Sequence, residues 1–326
     1  MVNSAAFLHN HSDFRVLVEN TAAEKKIAAY LAEKDYWLMH VLWGLQQVGL
    51  SFQLKGGTSL SKGFGCIHRF SEDIDIKIEP TEKQCGFTVY SGKNHDKDKH
   101  RDSRKQYFTW LTSYLSNKIS GIDQIIRDES YDDTVKYRNG GLRLLYQSLF
   151  DIPEGAKEGI LLEVGFDRTA PNQPCLITSW IYEQGIKATG QKFTDNRAQN
   201  VLCYEPKYTF VEKLQAVTRK FRLYHEGKKG ANLPSNFIRH YYDLFQLIER
   251  SDVQSFIGTQ EYEDFKKERF GTDDTKISNS EALTLQSRPD REIFEKEYLR
   301  SAPLYYKGRP TLQEILDRMA KDLNRL

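Results

Sequence analysis

The chain of 326 residues is long enough to bury a full core, and its 39% hydrophobic and 28% charged residues are typical of a globular protein rather than a disordered or fibrous one. Its formal net charge of +2 does not by itself indicate a nucleic-acid-binding protein. Residues 1–13 lack the apolar core of a signal peptide, and no stretch approaches the roughly 18 apolar residues of a membrane span, so we expect a cytoplasmic protein without a membrane segment.

The sequence before residue 50 predicts two helices. Thr21-Ala-Ala-Glu24 has the residue types of a capping box, and apolar residues recur at helical spacing after it. We therefore expect helices over about 22–33 and 35–48, with Asp35 as the cap of the second.

A strand, a glycine turn, a helix and a second strand are predicted next. Residues 52–55 predict a short strand, which Gly56 and Gly57 terminate. A short helix follows over about 58–66, and residues 74–78 alternate in character as a half-buried strand does.

The stretch from 80 to 104 breaks this pattern. It holds a run of mixed charge over 93–102 with almost no apolar residue, which predicts a surface loop or insertion. His95 and His100 in this run could suggest a metal site. A solvated loop is the preferred interpretation. The four cysteines form no C-x-x-C pair and are expected to be reduced thiols.

The rest of the chain predicts strands first and helices afterwards. A helix over about 104–119 is followed by strands over 142–150, 160–166 and 175–180. The later helices are expected at 209–226, 235–249, 252–268, 290–299 and 311–324. We therefore predict an α+β fold, in which a catalytic domain over residues 1–205 contains a mixed sheet flanked by helices and a helical C-terminal domain covers 206–326.

The segment after the first predicted strand has the residue types of a phosphate-binding turn. Gly56 and Gly57 allow the backbone to approach a ligand closely, and the start of the next helix offers free N–H groups to phosphate oxygens. Thr58 and Ser59 add hydroxyl donors, and Lys62 adds a cation one turn further on. We therefore expect these five residues to bind the phosphates of a nucleotide.

Two aspartates on the second predicted strand have the spacing of a metal site. Asp73 and Asp75 are two residues apart, so both side chains project from the same face of the sheet. Mg²⁺ (or Mn²⁺) would offset their repulsion, bridge a triphosphate, activate an attacking hydroxyl and stabilise the pyrophosphate leaving group. Joined to the glycine turn by one short helix, this pair predicts a metal-dependent nucleotidyltransferase with an NTP as substrate.

The glycine and aspartate motifs together resemble the AbiEii/AbiGii family of toxins, which belongs to the nucleotidyltransferase superfamily. The resemblance rests on Lys55-Gly-Gly-Thr-Ser-Leu-Ser-Lys62 and Arg69-Phe-Ser-Glu-Asp-Ile-Asp75. Shorter similarities are Glu33-Lys-Asp-Tyr-Trp37, Phe210-Val-Glu-Lys-Leu-Gln-Ala216 and Arg239-His-Tyr-Tyr-Asp-Leu244. These islands run from about residue 33 to 249 and imply a minimal nucleotidyltransferase fold.

The resemblance also implies a third metal ligand. The superfamily usually places a further carboxylate on a strand beside the one that carries Asp73 and Asp75. Glu163 is the best positional match, with an ordinary outward strand residue as the alternative interpretation, and Asp167 is the second choice.

Two residues of the helical region match later motifs of the family. Lys213 lies one helical turn after a cap predicted at Thr209 and would contact the β- or γ-phosphate as a compact cation. Asp243 would orient Lys213 or touch the nucleotide, unless it only forms a surface pair with Arg239 one turn earlier. A regular lysine repeat would place a second lysine three residues after Lys213, but position 216 is alanine. Lys220 is therefore an alternative phosphate contact.

The family resemblance implies a toxin of a bacterial type IV toxin–antitoxin or phage-defence system, with a separately encoded antitoxin protein as partner. The implied reaction transfers a nucleoside monophosphate to an acceptor, and RNA, in particular the 3′ end of tRNA, is the favoured acceptor. The basic stretch over 213–229 and the surplus of aromatic residues are compatible with RNA, although that stretch equally fits a solvated helix face.

Other functions are consistent with the same residues. A kinase would use the metal site to transfer the γ-phosphate, and a nucleotide-binding regulator would bind without turnover. A small-molecule acceptor such as an aminoglycoside fits the basic start of the helical region less well.

A phosphate on Ser61 or Ser71 would place negative charge beside the carboxylates and obstruct nucleotide binding. The segment 290–326 carries no recognisable motif. It could pack as part of the helical lobe, bind the antitoxin or guide the acceptor.

Overall fold

In the computed structural model the chain folds into two compact units. The first contains Met1–Phe64 and Phe70–Tyr204, and the second contains Gly65–Arg69 and Glu205–Leu326. The sequence predicted a boundary between 205 and 206 and did not anticipate the excursion of the chain at Gly65–Arg69. The described residues are 6–91, 97–153, 156–189, 193–227, 237–270 and 276–326.

A seven-stranded mixed sheet forms the centre of the first unit. Its strands are β1 (Phe52–Lys55), β2 (Asp73–Ile78), β3 (Gln124–Asp128), β4 (Asn139–Leu145), β5 (Ile160–Gly165), β6 (Asn172–Ile177) and β7 (Ala198–Tyr204). They lie in the order β3-β4-β5-β2-β1-β7-β6, in which the β2–β5 and β1–β7 pairs are parallel and the other pairs antiparallel. The predicted α+β class with a mixed sheet is confirmed.

The central strand β2 divides its residues between two environments. Ile74, Ile76 and Ile78 are buried, whereas the three residues that alternate with them are only partly buried. In register, Leu162 and Val164 of β5 lie beside the first two isoleucines and are also buried. Because side chains alternate along a strand, burial of these apolar residues on one face leaves the other face of β2 to its polar residues.

Helices cover the sheet within the first unit. They are α1 (Phe14–Lys25), α2 (Ala29–Gln47), α3 (Gly56–Thr58), α4 (Glu82–Cys85), α5 (Asp98–Leu115) and α6 (Trp180–Thr189). Helix α2 packs against β5 and β7, and α5 packs against β3 and β4. Helix α3 continues directly into a π-helical turn over Ser59–Gly63.

The second unit is helical, as predicted. Its helices are α7 (Pro206–His225), α8 (Arg239–Ile248), α9 (Ser251–Phe256), α10 (Gln260–Phe270), α11 (Arg288–Arg300) and α12 (Leu312–Ala320). Phe294 of α11 is buried and meets Phe237 and Tyr241 edge to face, and α12 packs against α8. The segment after 290 is therefore part of the packed helical lobe. No helix among the residues described here is long and apolar enough to cross a membrane.

The predicted starts of the first two helices are wrong. Helix α1 begins at Phe14, and Thr21 lies inside it, where its hydroxyl donates to Leu17 O at 2.7 Å. The buried residues of α1 have helical spacing and include Thr21, so this threonine continues a core-facing stripe and does not cap a helix. Asp35 lies inside α2 and is fully buried.

Other boundaries differ where polar residues weakened the sequence pattern. Helix α5 begins at Asp98 within the charged run, and His100 stacks on Tyr90, while His95 lies outside the described residues. Strand β3 was not predicted because only Ile125 of its two isoleucines is buried and its other three residues are polar. Strand β7 and helix α6 were also missed, and α7 starts at Pro206, with Glu205 in place of Thr209 as its N-cap.

Candidate active site

The glycine turn lies directly against the aspartate strand. Gly56 follows β1 and has φ of +69°, a backbone conformation that favours glycine. A β-carbon at this position would overlap the carboxylate of Asp75. Lys55 and Asp75 are partners in the antiparallel β1–β2 register, which brings the turn and the carboxylate together. The two motifs are therefore neighbours in space.

The hydroxyls of Thr58 and Ser59 hold the turn in place. Thr58 Oγ1 donates to Asp73 O at 2.5 Å, and Ser59 Oγ donates to Tyr204 O at 3.3 Å. Both residues are buried. Since a hydroxyl has one proton to donate, a phosphate contact of the predicted kind requires exchange of these bonds. Their observed role is to fix the glycine turn to β2 and β7.

The cation predicted at Lys62 is engaged within the first unit. Its ammonium pairs with Asp35 of α2 and lies 4.3 Å from the ring centroid of Trp180. Asp35 also accepts a hydrogen bond of 2.9 Å from the backbone N–H of Trp180, the first residue of α6. Burial lowers the pKa of Lys62 and raises that of Asp35, and their mutual attraction opposes both shifts. Lys62 therefore ties the turn to α2 and α6.

Three carboxylates share one face of the sheet. Asp73 and Asp75 alternate with the buried isoleucines of β2. Glu163 of β5 is the register partner of Asp75 in the parallel β2–β5 pair, so the two side chains leave the sheet on the same side. Asp167 lies beyond the end of β5 and is exposed. The structure therefore favours Glu163 over Asp167 as the third carboxylate.

The charge of this cluster is visible in the pKa of Glu163. Burial, followed by the negative charges of Asp75 and Asp73, raises that pKa to about 8. Lys157 and Lys55 act in the opposite direction but do not cancel the effect. The three carboxylates thus lie close enough to repel one another, and a cation between them would relieve that repulsion.

Asp73 has an ammonium partner that the sequence did not reveal. Lys157, in the connection between β4 and β5, places Nζ 3.1 Å from Oδ1 and 3.0 Å from Oδ2 of Asp73. Behind it, Lys34 of α2 is buried and donates from Nζ to Lys157 O at 2.7 Å. Burial lowers the pKa of Lys34 to about 8, and the acids Glu72 and Asp73 oppose this shift.

The carboxylates of Asp73, Asp75 and Glu163 have the donor chemistry of a divalent-cation site but are not drawn together around one point. Within the described ranges, no group of three or more His, Cys, Asp or Glu side chains is gathered closely enough to hold a metal ion as they are placed. The donor chemistry of Asp73, Asp75 and Glu163 nevertheless fits Mg²⁺ or Mn²⁺, since all three offer carboxylate oxygens. The mutual repulsion that raises the pKa of Glu163 agrees with this fit. Binding would require Asp73 to leave Lys157.

The other two predicted catalytic residues meet inside the second unit. Lys213 Nζ of α7 lies 2.7 Å from Asp243 Oδ2 of α8, and both residues are buried. Arg69 donates to the same carboxylate from Nε and Nη2, each at 2.7 Å. Burial alone would raise the pKa of Asp243, but Arg69 and Lys213 hold it well below its usual range. A surface pair with Arg239 does not describe this buried aspartate.

The basic stretch of α7 is not one continuous charged surface. Lys213 is buried, and Arg222 forms an ion pair of 3.0 Å with Glu226. Arg219 and Lys220 are exposed on the helix, whereas Lys228 and Lys229 lie outside the described residues. Any surface that α7 offers to a polyanion therefore centres on residues 219 and 220.

Comparison with known proteins gives the family. The family model described as "Nucleotidyl transferase AbiEii toxin, Type IV TA system" matches residues 40–318, most of the chain. The chain belongs to this family of nucleotidyltransferase toxins. The crystal structure of an antigenic nucleotidyltransferase-like protein from Paracoccidioides brasiliensis is similar over 82% of this chain and 93% of that chain, with 14% identity and a TM-score of 0.35. No curated protein shows significant similarity.

Proposed function

We propose that this protein transfers a nucleoside monophosphate from an NTP to an RNA acceptor, the 3′ end of tRNA, in the cytoplasm. Its partner would be a separately encoded antitoxin of a type IV toxin–antitoxin or phage-defence system. The observation that carries the proposal is the junction of Gly56 with Asp75, which joins a glycine turn to a carboxylate pair. Membership of the toxin family supports the same reaction class.

The residues of the first unit have distinct roles in the proposed reaction. Asp73, Asp75 and Glu163 would hold Mg²⁺ or Mn²⁺, which when bound supplies a Lewis acid for the triphosphate and the attacking hydroxyl. Gly56 and Gly57 let the backbone approach the phosphates. The acceptor hydroxyl gives its proton to water and forms a bond to the α-phosphorus. The bond between the α-phosphorus and the oxygen that bridges it to the β-phosphate breaks, and pyrophosphate leaves with that oxygen.

The choice of RNA as acceptor is supported by exposed cations of the second unit. Arg219 and Lys220 of α7 are exposed, and cations at a protein surface attract the phosphates of RNA. Lys213 and Asp243 would contribute as a buried pair within the second unit, in which Asp243 fixes the position of the Lys213 ammonium. A contact of this ammonium with nucleotide phosphates stays a prediction.

The proposal is tested by labelling the product. Purified protein is incubated with each α-³²P-labelled NTP, Mg²⁺ and total tRNA, beside a variant that combines Asp73→Ala with Asp75→Ala. Asp195→Ala serves as a matched control because this aspartate pairs with Arg197 near the surface of the same unit. We expect label on tRNA with the wild type and the control and none with the double variant.

Other outcomes would replace the proposed reaction. Transfer of label from γ-³²P-NTP, with release of nucleoside diphosphate, would identify a kinase. Nucleotide binding without any product from either label would identify a regulator. Label from α-³²P-NTP that appears on a small molecule such as an aminoglycoside and never on RNA would retain nucleotidyl transfer and reject the RNA acceptor.

A further inference from the structure

We propose that Lys157 is a phosphate-binding residue of the nucleotide site, which pairs with Asp73 until the nucleotide and its divalent cation bind. This inference rests on the proposed nucleotidyl transfer. Neither the glycine motif nor the aspartate motif includes Lys157, which lies more than 80 residues later in the chain. Its position follows from the fold, since β5 returns to lie beside β2.

The Lys157–Asp73 ion pair is accessible from solvent. The side chains are 27% and 16% exposed, and Nζ bridges both carboxylate oxygens of Asp73. The ammonium also lies 5.2 Å from the ring centroid of Tyr131. A partly exposed ion pair exchanges partners at small cost, unlike the fully buried Asp243 cluster. Lys157 can therefore release Asp73 to a stronger ligand.

The backbone under Lys157 is held by two cationic side chains. Lys34 Nζ donates to the carbonyl of Lys157 at 2.7 Å, and Arg143 Nη1 donates to the carbonyl of Glu158 at 2.9 Å. Arg143 is itself anchored by its ion pair with Asp128. Movement of Lys157 is thus restricted to its flexible side chain, which carries the ammonium on a four-carbon stem.

The charges around Asp73 explain why the Lys157 ammonium would bind a phosphate oxygen after it leaves Asp73. With a divalent cation held by Asp73, the Lys157 ammonium would lack its counterion next to the incoming triphosphate. Asp73, Lys157 and Arg143 all act on the charge of the Lys34 ammonium, so further positive charge lies close to this acid. A compact ammonium at this edge matches a phosphate oxygen.

The first experiment measures Mn²⁺ binding alone by electron paramagnetic resonance, without nucleotide. Lys157→Gln should bind Mn²⁺ roughly 5- to 10-fold more tightly than the wild type, because the competing ammonium is gone. The matched control is Lys77→Gln, which removes the same charge from the same face of β2, where Lys77 pairs with Glu79 at 2.7 Å. The control should bind Mn²⁺ as the wild type does.

The second experiment measures binding of the four α,β-methylene NTPs in turn at saturating Mn²⁺, by calorimetry. Lys157→Gln should weaken binding of the preferred analogue by roughly tenfold, and Lys157→Arg should restore most of it. Opposite shifts in the two affinities are the expected signature. A merely structural role for Lys157 would lower both affinities, and thermal unfolding of each variant checks that the fold is retained.

The outcomes separate this inference from the proposed function. If Asp73→Asn abolishes Mn²⁺ binding and Lys157→Gln leaves the affinity unchanged or lower, the role of Lys157 is rejected while the metal site stands. Unaltered affinity for the NTP analogues in Lys157→Gln also rejects it. Absence of Mn²⁺ binding by the wild type would overturn the proposed metal-dependent function and the inference with it.

Discussion

Gly56 packs against Asp75 so closely that the space of a β-carbon is already filled by the Asp75 carboxylate. This relationship makes the glycine turn and the carboxylate pair a single structural unit, although 18 residues separate their positions in the chain. Any side chain at position 56 would have to displace the Asp75 carboxylate. The identity of residue 56 is thus constrained by both backbone conformation and its neighbour.

Gly56→Ala should reduce nucleotidyl transfer roughly 100-fold, because a displaced carboxylate misplaces the reacting groups. The left-handed backbone adds a cost of about 1–2 kcal/mol to stability. Gly49→Ala is the matched control, since Gly49 has φ of +78° and its β-carbon would have no neighbour within 4 Å. The α-³²P assay measures the transfer rate of each variant, and urea unfolding measures its stability. Equal loss of activity in both variants would contradict the prediction.

The acidity of Glu163 predicts how stability depends on pH in metal-free protein. Its pKa is raised to about 8 in the folded state, from an ordinary value of 4.5. The folded state therefore retains a proton that the unfolded chain releases, so the contribution of Glu163 to stability is greatest below pH 4.5 and declines as pH rises to about 8. The slope from this group is at most about 1.4 kcal/mol per pH unit.

Glu163→Gln should remove that decline, because glutamine does not titrate. Unfolding in urea between pH 5 and 8.5 with EDTA measures the difference from the wild type. We also expect added Mg²⁺ to stabilise the wild type most at the alkaline end, where Glu163 has lost its proton. A wild type and variant with parallel pH profiles would show that Glu163 does not hold the proton.

Two histidines predict acid sensitivity, the fully buried His40 and the partly buried His9. Burial, and to a smaller extent His40, lowers the pKa of His9 to about 4, and burial lowers the pKa of His40 to about 4. Both are therefore neutral in the folded state while an unfolded histidine gains a proton near pH 6.5. Stability should fall as pH decreases from about 6.5 to about 4, and it is fully present above this window.

His9→Phe is the sharpest test of the histidine prediction. His9 stacks with Phe7 and contacts Trp37, and its Nε2 is buried without a hydrogen-bond partner. The substitution loses the 2.9 Å contact with Tyr36 Oη, so stability at pH 7 should change by no more than about 1 kcal/mol. Chemical unfolding at pH 7 and pH 4.5 should show a smaller acid-induced loss than in the wild type.

Asp243 should be the most sensitive position of the second unit. Asp243→Ala leaves the charges of Arg69 and Lys213 buried without their counterion, which costs about 3–5 kcal/mol. Lys213→Met should cost less, since Asp243 keeps its two bonds from Arg69. The control Arg222→Gln removes an i,i+4 surface pair and should cost about 0.5 kcal/mol or less. Thermal and urea unfolding rank the three variants.

The sequence predicted those parts of the fold whose side chains follow one regular pattern. The alternation of isoleucine with polar residues gave β2, and the two-residue spacing placed Asp73 and Asp75 on one face. Strand β3 carries too little apolar pattern to be found in this way. The role of Lys157 could not be predicted from the sequence for a different reason. Its contact with Asp73 depends on the pairing of β2 with β5.

The helix caps show the limit of local motifs. Thr21 and Glu24 have capping-box spacing, yet the apolar residues before them extend α1 back to Phe14. Asp35 has the side chain of a cap but lies within α2, where it accepts the N–H of Trp180 at the start of α6. In both cases tertiary packing decided between structures that the local sequence allowed equally.

The placement of Gly65–Arg69 in the second unit has a consequence for dissecting the protein. A single cut after Tyr204 does not yield two self-sufficient pieces. The N-terminal piece would carry Arg69 away from its acidic partner, and the C-terminal piece would keep Asp243 with Lys213 alone. Complementation would require the two pieces to associate, because Arg69 on one piece is the counterion of Asp243 on the other.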